Sequence, residues 1–462
     1  MVRIFRHYVP GSLLFLGLVE HLYLIIVIYA ALFFRWADID NLGASLGHHL
    51  GEAIIFAAVF SLTMFALGLY NKAHCADLVT VLSRLIFSFL FGALALAILF
   101  YTFPSISIWR SALVIAIVLG LFGIMIIRST FLQVADVEAF KRRVLVLGVG
   151  ARAARVEALE RADRTSSFVC VGFVPLSDAE PRIAESRNIW GNMSLPELAA
   201  EQGVEEIVVA LEERRGGMPV DALLACKLAG IAVTDYSTFY ERETGKVDLD
   251  TLHPSWLIFS DGFVGGSLQA LVKRGFDVAT SLILLILTLP VTALAALAVV
   301  LESPGGAFYR QERVGLNGRR FMLLKFRSMR EDAEKDGIPQ WAAVNDSRVT
   351  RVGALIRKVR IDELPQVWNV LNGDMSFIGP RPERPFFVEK LRQAIPYYFE
   401  RHRVKPGISG WAQLNYPYGA SVEDAKQKFQ YDLYYIKNYS LFLDLVVLIQ
   451  TARVIFWPQG VR

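Results

Sequence analysis

Residues 276–301 read FDVATSLILLILTLPVTALAALAVVL, and what this stretch does at a bilayer decides on which side of a membrane the last third of the chain lies. It is long enough to cross a hydrocarbon core of roughly 30 Å, and Asp277 near its start is its only charge. The flanks argue against a plain crossing. Lys273 and Arg274 precede it, Arg310, Arg313, Arg319, Arg320, Lys325 and Arg327 follow it, and so no charge asymmetry separates its ends. Pro290 lacks the N–H that a helix interior needs and can bend the segment into a hairpin that re-enters on one face, with Thr288 placed to meet a freed carbonyl. A kinked full span is the competing reading.

Upstream, four further apolar runs open the chain at about 12–34, 50–70, 82–103 and 111–127, each near the ~20 residues of a span. The first is read as a retained span, because it is long, carries Glu20 and His21 and lacks a small-residue cleavage site. Arg3, Arg6, Lys72, Arg84, Arg128, Lys141, Arg142 and Arg143 fall on one side of this block, and Arg35 and Arg110 on the other, which places both its ends in the cytoplasm. Helix-to-helix hydrogen bonds are the favoured account of Glu20 and His21, although ionisable groups in a span also mark functional sites. The bulk figures agree with a membrane protein: 54% of the 462 residues are hydrophobic and mean hydropathy is +0.41. A net charge of +4 gives no ground for a nucleic-acid partner. Cys75, Cys170 and Cys226 form no CxxC pair, and His48 and His49 are adjacent rather than one helical turn apart, so no metal or disulfide framework is expected from them.

From Arg143 the pattern changes to alternating strands and helices. Val144-Leu145-Val146-Leu147 reads as a buried strand leading into Gly148-Val149-Gly150-Ala151-Arg152-Ala153, a Gly-x-Gly-x-x-Ala variant of the dinucleotide turn. Strands at 168–174, 206–211 and 231–234, with helices near 196–202 and 220–228, imply a parallel sheet of degenerate Rossmann type. A cofactor is not expected there, because the strand that should end in a ribose-binding acid ends in Val174-Pro175, with Asp178 arriving only later. Packing or a homodimer contact is the expected use. Tyr236, Phe239, Tyr240 and Trp256-Leu257-Ile258-Phe259 read as core.

Beyond residue 301 the chain turns basic, with Lys325-Phe326-Arg327 and Asp346-Ser347-Arg348 close to the membrane exit, where cations can hold lipid head groups. Arg360-Ile361-Asp362-Glu363-Leu364-Pro365-Gln366 sets two adjacent carboxylates at what reads as a helix start, with Val367, Val370 and Leu371 following and Gly373 just past the end. On the pair alone, capping is the favoured reading; a nucleophile or metal ligand at a phosphate site is the other. In Gly379-Pro380-Arg381-Pro382-Glu383 two prolines fix the backbone around one guanidinium, a planar fork that suits phosphate. The end, near 440–457, is apolar but carries Asp444, Gln450 and Arg453, and fits an interfacial helix better than a span.

Phe276-Asp277, Ser303-Pro304-Gly305, Arg310-Gln311-Glu312-Arg313-Val314-Gly315, Lys325-Phe326-Arg327-Ser328-Met329, Asp362-Glu363-Leu364-Pro365-Gln366, Gly379-Pro380-Arg381-Pro382-Glu383 and Lys405-Pro406-Gly407, in this order, resemble the bacterial sugar transferases. The whole chain looks like their long-form monotopic phosphoglycosyl transferases, the undecaprenyl-phosphate glycosylphosphotransferases. Phe239-Tyr240-Glu241-Arg242 and Pro254-Ser255-Trp256-Leu257-Ile258-Phe259 look like the branch linked to exosortase exopolysaccharide clusters. The resemblance implies transfer of sugar 1-phosphate from a UDP-sugar to undecaprenyl phosphate at the cytoplasmic face of the bacterial inner membrane, with release of UMP and a requirement for Mg²⁺. Asp362 would attack the phosphorus next to the sugar, Glu363 would help hold Mg²⁺, and Arg381, Lys325, Arg327 and Arg360 would steady the phosphates. Re-entry at Pro290 gains weight, because a cytosolic nucleotide-sugar and a lipid head group must meet on one face. Ser409 stands where the family commonly has threonine.

The expected organisation is a four-helix transmembrane region over 1–130, a Rossmann-like cytoplasmic domain over 140–265, and a mainly helical catalytic domain over 272–462 with the re-entrant helix at 274–302. A membrane-anchored nucleotide-sugar dehydratase or epimerase is the rival enzyme. It needs Tyr-x-x-x-Lys, and no tyrosine here is followed four positions later by lysine. A non-enzymatic scaffold for polysaccharide assembly, with the acidic pair acting only as a cap, is the third reading.

Overall fold

The computed structural model describes residues 2–4, 7–9, 11–36, 49–70, 78–106, 108–135, 141–162, 166–176, 182–189, 193–212, 217–252, 260–263, 266–330, 348–417, 419 and 421–456. The expectations attached to Arg6, His48, Lys72, Cys75, Asp178, residues 254–259, Asp346, Ser347 and Trp457 lie outside them. The chain divides into two compact units, Met1–Val2 with Tyr8–Glu243 and Arg3–His7 with Thr244–Arg462.

In the first unit, proline-free runs of Leu, Ile, Phe and Ala form α1 (Gly11–Trp36), α2 (Leu50–Ala66), α3 (Leu78–Thr102) and α4 (Arg110–Ala135). Stretches of α1, α3 and α4 are long and apolar enough to cross a bilayer, whereas α2 has 17 residues, about 25 Å. The apolar run continues to Tyr70, but its last four residues form a turn. Two arginines close that turn: Arg84 Nη1 donates to the Leu67 carbonyl (3.3 Å) and Arg128 Nη1 to that of Leu69 (2.9 Å). Irregular backbone among apolar helices needs such partners, since lipid supplies none.

Arg128 also grips Glu20 through Nε–Oε1 (2.8 Å) and Nη2–Oε2 (2.9 Å), and the Tyr70 hydroxyl donates to Oε2 at 2.5 Å. His21 Nδ1 lies 3.0 Å from Ser61 Oγ. Glu20 and His21 are thus both engaged by other elements of the bundle. Arg84 and Arg128 are buried within the bundle, so they drop out of the surface charge asymmetry in which the sequence counts them. The apolar core of the bundle includes Phe60 stacked on Phe89 at 4.5 Å; Gly92 makes room, since a Cβ there would stand 2.6 Å from the Phe60 ring.

The same unit contains β1 (Arg142–Leu147), α5 (Ala151–Ala162), β2 (Phe168–Val174), α6 (Leu195–Glu201), β3 (Glu206–Val209), α7 (Val220–Leu228), β4 (Ala232–Asp235) and α8 (Tyr236–Thr244). The strands pair in the order β2-β1-β3-β4, all parallel. Alternation along β1 divides its side chains between two cores. Val144 and Val146 pack with Val156 of α5 and with Tyr236 and Phe239 of α8, while Leu145 and Leu147 pack with Leu198 of α6 and Leu223 of α7.

The longest helix of the second unit is α9 (Ser267–Glu302), whose 36 residues include Pro290. The sequence expects a bend there, and helical backbone continues across it. Proline costs one helix bond, that to the Ile286 carbonyl, and the Leu- and Ala-rich residues on both sides sustain the rest. Thr288 Oγ1 donates to the Leu284 carbonyl (2.7 Å), not to the one that Pro290 frees. Leu282, Ile283, Ile286, Leu287, Leu289 and Leu294 are exposed, whereas both ends of the helix are held by protein. Arg274 donates to the Val370 and Leu371 carbonyls at 2.6 and 2.5 Å, and Asp277 accepts from Ser376 Oγ (2.9 Å) and the Phe377 amide (3.1 Å). At the far end Glu302 accepts from the Arg351 and Val352 amides at 2.7 and 3.0 Å, and Ala295 and Val299 pack on Phe326 and Ile356.

After α9 come the antiparallel hairpin β5 (Phe308–Val314) and β6 (Arg320–Phe326), α10 (Arg351–Lys358), a 3₁₀ turn at Ile361–Glu363, and α11 (Gln366–Asn372). Next are β7 (Ser376–Ile378), α12 (Pro385–Ala394), β8 (Gly407–Ser409) in parallel with β7, α13 (Trp411–Asn415), α14 (Val422–Lys437) and α15 (Leu441–Phe456). In α15 the acid that favoured an interfacial setting faces inward: Asp444 is buried against Lys273 Nζ (2.9 Å), flanked by buried Leu443 and Val447.

Candidate active site

Arg360 adopts the left-handed conformation (φ 60°) after α10, which turns the chain into the Ile361–Glu363 turn. Pro365 then takes the N-cap position of α11, with no side-chain capping bond, and Gly373 (φ 90°) ends that helix. Asp362 and Glu363 therefore cap nothing, contrary to the first expectation for the pair. They stand one turn too early, in a segment of their own.

The two acids have different surroundings. Glu363 Oε1 lies 3.1 Å from Arg381 Nη2, 3.2 Å from Lys325 Nζ and 3.9 Å from Arg360 Nη1. Burial alone would raise its pKa, but these cations prevail and hold it well below the usual carboxylate range. The Lys325 pKa is lowered too, by burial, which disfavours its charged form despite Glu363. Asp362 is 8% exposed, and among the described residues no donor or cation engages its carboxylate directly. Burial raises its pKa; Lys325, Arg360 and Arg357 attract it only from a distance, and neighbouring Glu363 repels it.

Of the residues expected at phosphate, Lys325, Arg360 and Arg381 thus converge on Glu363, and Arg327 does not join them. Its guanidinium donates to the Ser303 and Pro304 carbonyls at 2.7 and 2.5 Å, closing the exit of α9. Pro290 lies in α9, outside this cluster. Asn369 escapes sequence reading: its amide accepts from the Leu324 N–H (2.9 Å) and donates to the Met322 carbonyl (2.8 Å), which ties β6, and so Lys325, to α11. A buried amide bridging a helix and a strand leaves no local signal.

Among the described residues no three His, Cys, Asp or Glu side chains gather into a metal site. A divalent ion here would have Glu363 as a carboxylate ligand and would take its other oxygens from water and ligand phosphates, a set that Mg²⁺ accepts. In the parallel sheet, the Gly-x-Gly turn is occupied by the protein itself. Glu212 Oε1 accepts from the Ala151 amide at 2.6 Å, where a dinucleotide pyrophosphate would sit, and a Cβ on Gly150 would meet the same oxygen at 2.6 Å.

The family model described as bacterial sugar transferase matches residues 268–458. The chain is 40% identical over 289 residues to the UDP-N-acetylgalactosamine-undecaprenyl-phosphate N-acetylgalactosaminephosphotransferase of Aeromonas hydrophila, 63% of this chain and 67% of that protein. It is 45% identical over 165 residues to the UDP-glucose:undecaprenyl-phosphate glucose-1-phosphate transferase of Xanthomonas campestris pv. campestris, 35% of this chain and 34% of that one. The transferase of the same description from Escherichia coli (strain K12) is 43% identical over 184 residues, 39% of each chain. The chain thus spans two thirds of the first relative and little more than a third of the other two.

Proposed function

The chain belongs to the bacterial sugar transferase family, and from that premise we propose that it moves sugar 1-phosphate from a UDP-sugar to undecaprenyl phosphate, releasing UMP, as the first membrane step of exopolysaccharide assembly. The observation that carries this reading is the asymmetry of the acids: Glu363 is held by cations, and Asp362 beside it is unengaged. In the first step an Asp362 oxygen attacks the phosphorus next to the sugar. The bond from that phosphorus to the bridging oxygen breaks, and UMP leaves with the electron pair. An oxygen of undecaprenyl phosphate then attacks the same phosphorus, the aspartyl bond breaks, and the carboxylate is restored. Arg381, Lys325 and Arg360 meet charge on the phosphoryl oxygens. Mg²⁺, which Glu363 would help hold, would neutralise the diphosphate.

Purified full-length protein with Mg²⁺ is expected to release about one equivalent of UMP per chain without lipid, and to turn over repeatedly once undecaprenyl phosphate is added. The panel should include UDP-glucose and UDP-N-acetylgalactosamine, because the relatives named above differ in sugar. Absence of UMP with every UDP-sugar overturns the reading.

The second part of the proposal is that α9 enters the inner membrane and leaves on the same, cytoplasmic, face. Straight, its 36 residues would span about 54 Å. Yet Arg274 is tied to Val370 of α11, neighbouring Asn369 is tied to Leu324 of β6, and Phe326 of the same strand packs on Val299. Anchors this close together at its two ends, with an exposed apolar middle, support a bent path. In a cysteine-free background, cysteines placed at Gly266 and Gly306 are expected to react with an impermeant thiol reagent only from the cytoplasmic side. Periplasmic labelling of either one rejects re-entry.

A further inference from the structure

We infer that Arg401, backed by Asp432, is a positioning residue that sets the direction of Arg381. This rests on the proposed role of Arg381 at the phosphates. Pro380 and Pro382 have no N–H, so the segment around Arg381 cannot fix itself with its own amides as a strand does. It is fixed through its carbonyls. Pro380 O accepts from the Gly407 amide (2.9 Å), Arg381 O from Arg401 Nη2 (2.9 Å), Pro382 O from Arg313 Nη1 (2.9 Å), and Glu383 O from the Val314 amide (3.0 Å).

The tie on Arg381's own carbonyl comes from a side chain 20 residues away. That carbonyl defines the peptide plane at Arg381 and so the line along which its guanidinium leaves the backbone toward Glu363. Arg401 is suited to the task because it cannot swing. The second hydrogen of Nη2 goes to Asp432 Oδ2 (2.9 Å), Nη1 donates to the Tyr398 hydroxyl (2.5 Å), and the whole group is buried. A lysine would keep the charge but lose the planar fork that serves two acceptors at fixed angles.

The test is a double-mutant cycle on full-length protein in lipid nanodiscs, read as kcat/KM for UMP release. Arg401→Lys is expected to lower kcat/KM by about 10- to 100-fold in the wild-type background, as a displaced catalytic group does. In the Arg381→Ala background the same change should cost less than about twofold, because the group it positions is already gone. Asp432→Asn enters the same cycle as a milder variant should Arg401→Lys fail to fold, with the same expectation. Equal losses in both backgrounds overturn the inference alone. Wild-type turnover in Arg381→Ala overturns the functional reading of that residue and the inference with it.

Discussion

Asp362→Asn is expected to lower UMP release at least about 10⁴-fold, roughly 5.5 kcal/mol of barrier, while leaving the unfolding midpoint at or above that of the wild type. An amide oxygen is not a nucleophile toward phosphorus, and the two side chains have nearly the same shape. Because no donor or cation engages Asp362 directly, the change breaks no bond that holds the fold. It also removes a carboxylate whose charged form burial disfavours. A structural acid would behave the opposite way, losing stability first. The wild type should carry a matching signature in pH. Attack requires the ionised form, and burial lifts the Asp362 pKa, so kcat is expected to fall on acidification along a limb lying above the ordinary aspartate value. Turnover retained by the asparagine variant would remove Asp362 from the chemistry.

Where the sequence is legible, local physics dominates. The parallel sheet reads clearly because β1 is buried on both faces, which writes Val144 to Leu147 as an uninterrupted apolar run. The Pro-Arg-Pro segment announces itself because proline removes donors wherever it stands. What stays hidden is set at long range or by rare backbone geometry. The left-handed turn at Arg360 moves the acids off the helix start, and nothing in an arginine forecasts a positive φ. Of the three cations on Glu363, Arg360 is local, but Lys325 and Arg381 come from 38 and 18 positions away. Lys325 and Arg327, two apart, look like one face of a strand. But β6 ends at Phe326, and Arg327, just past it, turns to the exit of α9. Arg84 and Arg128 look like loop-side charges because hydropathy cannot show that α2 stops at Ala66 and leaves carbonyls for them to meet.

Glu363→Gln is expected to fail in a manner that separates the two neighbouring acids. Its carboxylate is the shared counter-charge of Lys325, Arg381 and Arg360, and the amide leaves these cations crowded around a neutral group. Breaking a largely buried ion cluster by removing one partner costs about 3 kcal/mol of stability, so the melting temperature of the solubilised protein should fall, as it does not for Asp362→Asn. Turnover should fall at least about 10²-fold as well, since Lys325 would more readily shed its proton and the carboxylate proposed to help hold Mg²⁺ is gone. The pH dependence identifies the cause. The wild-type Glu363 pKa is depressed in the folded state, so its contribution is complete above the ordinary glutamate value near 4.5 and is lost as pH falls from there through the folded value. Glutamine has no such contribution to lose. The stability gap between wild type and variant should therefore be widest at neutral pH and narrow as the solution is acidified below that value; a gap that stays constant down to the acid limit would mean that the cations do not depend on Glu363.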